Sequence, residues 1–134
     1  MESATLLEKE PSVIPSKKPC ILVVDDNPDV LNYAGSTLRR YNYTVYSAHC
    51  ALFALSVYRR HAAEIEILLT DVKMPDFSGP ELADKLLLLN PELKVVYMSG
   101  QNSAELGSFG FLRKPFTSQE LLQAVQSRGD AAAA

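Results

Sequence analysis

Long apolar runs are missing from this sequence. Its longest leucine run, Leu86 to Leu89, falls far short of the ~20 apolar residues that a helix needs to cross a bilayer. The opening stretch, MESATLLEKEPSVIPSKKPC, mixes acids, lysines and prolines and lacks the continuous apolar core of a signal peptide. A soluble, cytoplasmic protein is therefore expected, with no membrane insertion. Cysteine is scarce as well. Cys20 and Cys50 are too few for a disulfide scaffold, and a metal site built on them would have to recruit His49 or His61, neither of which stands at close ligand spacing. Reduced, structural thiols are expected. Basic charge is also in short supply: the formal net charge is -3 and the 13 Lys and Arg residues are scattered, so there is no electrostatic footprint for a phosphate backbone. Nucleic acid is not expected as a direct partner.

What is present suffices for one core. A chain of 134 residues, 47% of them hydrophobic, is long enough for one compact domain and too short for two ordinary ones. Residues 1–19 carry Pro11, Pro15 and Pro19 among polar residues and read as a disordered tail or linker. Order is expected over residues 20–127, with 128–134 a frayed C-terminal tail. Within that span, the runs ILVV (21–24), TVYS (44–47), EILLT (66–70), KVVYMS (94–99) and GFLR (110–113) alternate with helical patterns. Runs apolar on both faces and separated by helices predict a buried parallel sheet, here five strands in a doubly wound α/β sandwich.

The helices carry their own signals. Asn27 can cap a helix that begins at Pro28, with Leu31, Ala34 and Leu38 on one face. A second helix is expected from about Cys50 to about His61. In a third, Ser78 and Glu81 form a capping box, Leu82, Leu86 and Leu89 make the core stripe, and Asn90-Pro91 stops it. Thr117 with Glu120 repeats the capping box ahead of Leu121, Leu122 and Val125.

In open parallel sheets, sites form where loops leave the carboxyl ends of the strands. The first strand ends in Asp25-Asp26, the third in Asp71 and the fourth in Ser99-Gly100, while Lys114-Pro115 follows the fifth. Alone, each pair is an ordinary turn or cap. Together they put three carboxylates, a hydroxyl and an ammonium on one rim. Three close carboxylates repel one another, so a cation should sit among them, and hard oxygen ligands suit Mg2+. With that charge and Lys114 beside it, Asp71 can stay ionised and attack phosphorus.

On ILVVDDNPDV, LLTDVKMPDFSG, VVYMSG and FLRKPF, the sequence resembles the receiver domain of two-component response regulators, similar to the chemotaxis regulator CheY, over about residues 20 to 127. The resemblance implies the CheY-like (flavodoxin-like) strand order 2-1-3-4-5. It implies Asp71 as phosphoacceptor, Asp26 as direct Mg2+ ligand, Asp25 binding the metal largely through water, and a backbone carbonyl from Lys73. Ser99 would be the switch hydroxyl, Lys114 would pair with the phosphate, and the Lys114-Pro115 bond would be cis. Phe111 would hold the position of the switch aromatic. Without the hydroxyl of the tyrosine often found there, it is expected to favour its inward rotamer.

A histidine kinase or histidine phosphotransfer protein is the implied donor, docking near Pro28, Leu31 and the loop after Lys114. A downstream protein is the implied target, in a stand-alone receiver or one from a hybrid histidine kinase. One departure stands out. Only Gly100 to Phe109 lies between the switch hydroxyl and the fifth strand, so the helix usual there, the fourth in the family, is expected to be shortened or missing. The usual output and dimerisation face is then incomplete. Leu52, Phe53, Val57, Tyr58, Leu87 and Leu88 lie where another surface could form, although extra leucines on a helix are more often partly buried or simply tolerated. His49 and His61 read as helix-end polar residues.

Two other readings compete. An aspartate-nucleophile phosphatase of the haloacid dehalogenase type needs a second aspartate two residues after the first, where this chain has Lys73. An enzyme acting on an external substrate is therefore not expected. A degenerate receiver, kept as a phosphorylation-independent interaction module, is the alternative; the intact set of Asp25, Asp26, Asp71, Ser99 and Lys114 speaks against it.

Overall fold

The computed structural model describes residues 18–100 and 110–133, with side chains described up to Gln126. Five strands alternate with four helices among the described residues. They are β1 (Cys20–Val24), α1 (Pro28–Arg40), β2 (Thr44–Ala48), α2 (Ala51–His61), β3 (Ile65–Asp71), α3 (Gly79–Leu89), β4 (Lys94–Ser99), β5 (Gly110–Arg113) and α4 (Ser118–Ala133). The strands form one sheet in the order β2-β1-β3-β4-β5, and every pairing is parallel. This is the expected 2-1-3-4-5 topology. The order reverses between β1 and β3, and the loops leaving those two strands therefore part to opposite sides and open a crevice at their carboxyl ends.

Alternation along the strands splits the core in two. Leu22, Val24, Leu68, Val95 and Tyr97 face α2 and α3, while Ile21, Val23, Ile67, Leu69, Val96 and Met98 face α1 and α4. β1 is buried at every position, as the doubly apolar runs predict for a central strand. The edge strands β2 and β5 are only partly buried, because each has a neighbour on one side alone.

The helix starts follow the sequence signals. The Asn27 side chain accepts from the Asp29 N–H with Pro28 in the first turn, and Ser78 and Glu81 form a reciprocal capping box. Thr117 and Glu120 do the same at α4, at 2.9 and 3.1 Å. The stripe on α3 needs a correction. Leu82 and Leu86 are fully buried, but Leu89 is 57% exposed, and Ala83 fills the inner face with them. Leu89 has the right phase but is the last residue of the helix, and Leu93, in the turn beyond it, enters the core there. At the C-terminus the backbone of α4 remains helical to Ala133, past the point where a frayed tail is expected. Its alanines are the strongest helix formers.

Two expectations fall on residues that the structure does not describe. The tail is one, over 1–17; the shortened or missing helix is the other, over 101–109. Among the described residues, no helix is long and apolar enough to cross a membrane. Both cysteines are free.

Candidate functional site

Parallel pairing aligns the strand ends, and so it aligns the polar residues that follow them. Asp25 comes directly after β1, Asp71 closes β3, Ser99 closes β4, and Lys114 comes directly after β5. Main-chain hydrogen bonds lock these ends together: the Asp25 N–H donates to the Ala48 carbonyl, Val72 N–H to Met98, and Lys114 N–H to Ser99 at 2.8 Å. Asp25, Asp26 and Asp71 each offer one carboxylate oxygen, and the three oxygens lie within 4.8 Å of one another. The three carboxylates expected on this rim are therefore brought together.

Its members differ in environment. Asp25 is fully buried, Asp71 half-buried and Asp26 exposed. Asp25 Oδ1 accepts from the Asn27 N–H at 2.9 Å, and Oδ2 lies 2.7 Å from Lys114 Nζ. No donor is aligned on Oδ2, so its contact with Lys114 is an ion pair and not a directed hydrogen bond. Lys114 Nζ also lies 3.4 Å from Asp71 Oδ1. Burial, and then the negative charge of Asp25, push the Asp71 carboxyl above the usual aspartate range, and Lys114 only partly offsets them. Burial works against the Lys114 ammonium, but its pairing with Asp25 and then with Asp71 prevails and holds its pKa above the usual lysine value.

The main chain of Asp71 is closely packed. The Thr70 hydroxyl donates to the Asp71 carbonyl at 3.0 Å, and the Gly79 N–H donates to the Val72 carbonyl at 2.8 Å. A Cβ on Gly79 would stand 2.2 Å from the Asp71 carbonyl oxygen, so only glycine lets α3 start this close.

The remaining predicted residues take separate places. Lys73 is exposed on the loop after Asp71, with no ion pair among the described residues. Phe111, paired in register with Tyr97, is half-buried against the α2/α3 side of the core. The Lys114-Pro115 bond is cis. His49 lies outside the rim, its ring tilted against Phe53, and His61, the last residue of α2, stacks on Tyr46.

The donor set fits Mg2+: it consists of hard carboxylate oxygens, one of them buried with unused accepting capacity, beside a net negative charge that Lys114 does not cancel. Asp76, in the loop beside the site, is a residue that the sequence reading passed over. It follows Met74-Pro75 in the loop after Asp71, and its carboxylate binds the start of α2.

Comparisons with known proteins place the chain in a family and match its fold. The family model described as response regulator receiver domain matches residues 21–126. The sensor kinase CckA of Brucella abortus is 31% identical over 113 residues, which cover 79% of this chain but only 12% of the kinase. The chain thus spans about an eighth of that relative's length. Among solved structures, a response regulator receiver domain protein from Clostridium thermocellum superposes with a TM-score of 0.78 at 25% identity, covering 87% of this chain and 98% of the other. CheY of Borrelia burgdorferi, in a complex with CheX, BeF3 and Mg2+, shares the fold with a TM-score of 0.76 at 21% identity, over 81% of this chain and 87% of the other.

Proposed function

Because this chain belongs to the response regulator receiver domain family, we propose that it is the phosphoacceptor of a two-component phosphorelay, taking a phosphoryl group from a phosphohistidine onto Asp71 in a Mg2+-dependent reaction. One observation carries the reading: three carboxylates share a rim with Lys114, whose ammonium lies 2.7 Å from Asp25 and 3.4 Å from Asp71. Repulsion of this kind costs stability, and a bound Mg2+ would relieve it and, together with Lys114, offset the negative charge of the incoming phosphoryl group.

An Asp71 carboxylate oxygen attacks phosphorus, the P–N bond to the donor imidazole breaks, and the released ring takes up a proton. Asp26, Asp25 and the carbonyl of Lys73 would hold the cation, with Asp71 completing the set. Bound Mg2+ supplies charge neutralisation for the transferred oxygens. Lys114 is already aimed at Asp71 and pairs with the incoming group. Ser99, at the end of β4, donates its hydroxyl to a phosphoryl oxygen and so draws its strand end inward. Phe111, half-buried against the core, follows as the switch aromatic.

The donor, a histidine kinase or phosphotransfer protein, docks at a groove of about 410 Å³ beside Lys114, lined by Asp29, Val30, Tyr33, Lys114, Pro115 and Phe116. The groove is walled by the first turns of α1 and by the loop after β5, so an imidazole seated there lies beside Lys114, whose ammonium is 3.4 Å from Asp71. Output passes to a downstream protein in the cytoplasm. On this reading the chain turns over no external substrate, because Lys73 stands where a phosphatase would need its general acid.

Intact mass after incubation with acetyl phosphate tests the reading. Wild type should gain one phosphoryl group only with Mg2+ present, and Asp71→Asn should gain none. No gain under any condition would leave a phosphorylation-independent interaction module as the better account.

A further inference from the structure

The first turn of α2 does not supply its own strong cap. Cys50 stands at the cap position, where Ser, Thr, Asp and Asn are preferred, and its sulfur accepts weakly from the Phe53 N–H at 3.5 Å. The two preceding N–H groups go to a residue from the other end of the site. The Ala51 N–H donates to Asp76 Oδ1 at 3.2 Å and the Leu52 N–H to Asp76 Oδ2 at 2.7 Å, across 25 and 24 positions of sequence. The same carboxylate accepts from the Phe77 N–H at 2.9 Å and so braces its own loop. Burial pushes the Asp76 carboxyl up, but the N–H donors of Leu52, Phe77 and Ala51 prevail and hold it below the usual aspartate range.

This loop is the one that leaves Asp71. Its base is closed by the Val72 N–H on Met98 and the Gly79 N–H on Val72. Met74 and Phe77 pack against the α2/α3 core, and Lys73 lies between the closed base and those two. Among the described residues, Asp76 is the only side chain of residues 73–77 with a hydrogen bond to another element.

We propose that Asp76 is a positioning residue for the acidic rim: by clasping the first turn of α2 it fixes the loop that carries the Lys73 carbonyl, and it thereby couples metal binding at the rim to the integrity of that turn. The inference rests on the metal reading given under Proposed function. Coupling of this kind is reciprocal. Mg2+ tightens the clasp, and the clasp tightens the hold on Mg2+ by the same factor.

Two measurements on the full chain test it: calorimetric titration with Mg2+ alone, and backbone amide exchange of Ala51 and Leu52 with and without saturating Mg2+. In Asp76→Ala the Mg2+ dissociation constant should rise about tenfold, at the low end for residues that orient metal ligands. Asp76→Asn keeps one acceptor and should lie between that variant and wild type. In wild type, saturation with Mg2+ should slow exchange at Ala51 and Leu52; in Asp76→Ala it should not. Asn90→Ala, which removes a side-chain acceptor at the far end of α3, should leave both readouts at wild-type values, so general loosening of the fold is separated from positioning. Wild type that binds Mg2+ while Asp76→Ala binds it equally well, or still shows the Mg2+ effect on exchange, overturns the inference alone. Wild type that binds no Mg2+ overturns the inference together with the metal reading beneath it.

Discussion

The rim at the carboxyl ends of the strands and the far end of α3 both invert the usual distribution of polarity, in opposite senses. At the rim, Asp25 is fully buried beside a second carboxylate; at the end of α3, Leu88 is 86% and Leu89 57% exposed. Burying a carboxylate is costly without compensation, and at Asp25 that compensation comes from the Lys114 ammonium 2.7 Å away. An exposed leucine costs little, and more than half of a protein's surface is apolar in any case. The two anomalies therefore differ in information: the first demands a partner, and the second only permits one.

Substitutions can test that asymmetry. The largest effect is expected at Lys114. Lys114→Met leaves Asp25 buried without its cation, which should cost about 3–5 kcal/mol in denaturant melts without metal. Mg2+ should restore part of the loss. If the variant were as stable as wild type, Asp25 would be better compensated than its surroundings indicate.

Gly79→Ala should come next. Its Cβ would meet the Asp71 carbonyl oxygen at 2.2 Å, and backbone must shift to admit it. About 3 kcal/mol of destabilisation is expected, the upper end for overpacking. Phosphoryl uptake should fall with it, because the atom displaced belongs to Asp71.

A pair on one helix sharpens the contrast further. Leu86→Ala, at a fully buried position, should cost about 3 kcal/mol. Leu88→Ser should stay within about 0.5 kcal/mol of wild type. A large loss at Leu88 would show that this surface is covered in solution.

The last test concerns the pH dependence at Asp76. Its pKa is depressed in the folded state, so the stability it contributes is complete above the ordinary aspartate value of ~3.9 and is lost as pH falls through the depressed folded value. The stability gap between wild type and Asp76→Asn should therefore be constant near neutrality and close on acidification into that lower range. A gap that widened in acid would reverse the sign of the interaction.

The rim was legible in the sequence for a specific reason. Asp25, Asp26, Asp71, Ser99 and Lys114 all follow apolar runs, and a parallel sheet brings the ends of such runs together whatever their separation along the chain. Capping boxes at Ser78 and Thr117 were legible because they are local. Leu89 was misplaced because periodicity gives the face of a helix but not where the sheet beneath it ends. Asp76 was passed over because its partners, the N–H groups of Ala51 and Leu52, carry no side-chain signal and lie in a different crossover of the fold. A hint was present nonetheless: Cys50 is a weak cap, and a helix that starts on one must take its cap from elsewhere.

The central claim is that Asp71, and not either of its acidic neighbours, receives the phosphoryl group. Borohydride reduction after incubation with acetyl phosphate and Mg2+ converts a phosphoaspartate to homoserine, and peptide mapping locates it. The account predicts homoserine at position 71 alone, absent without Mg2+. Homoserine at position 25 or 26, or at none of the three, would contradict it.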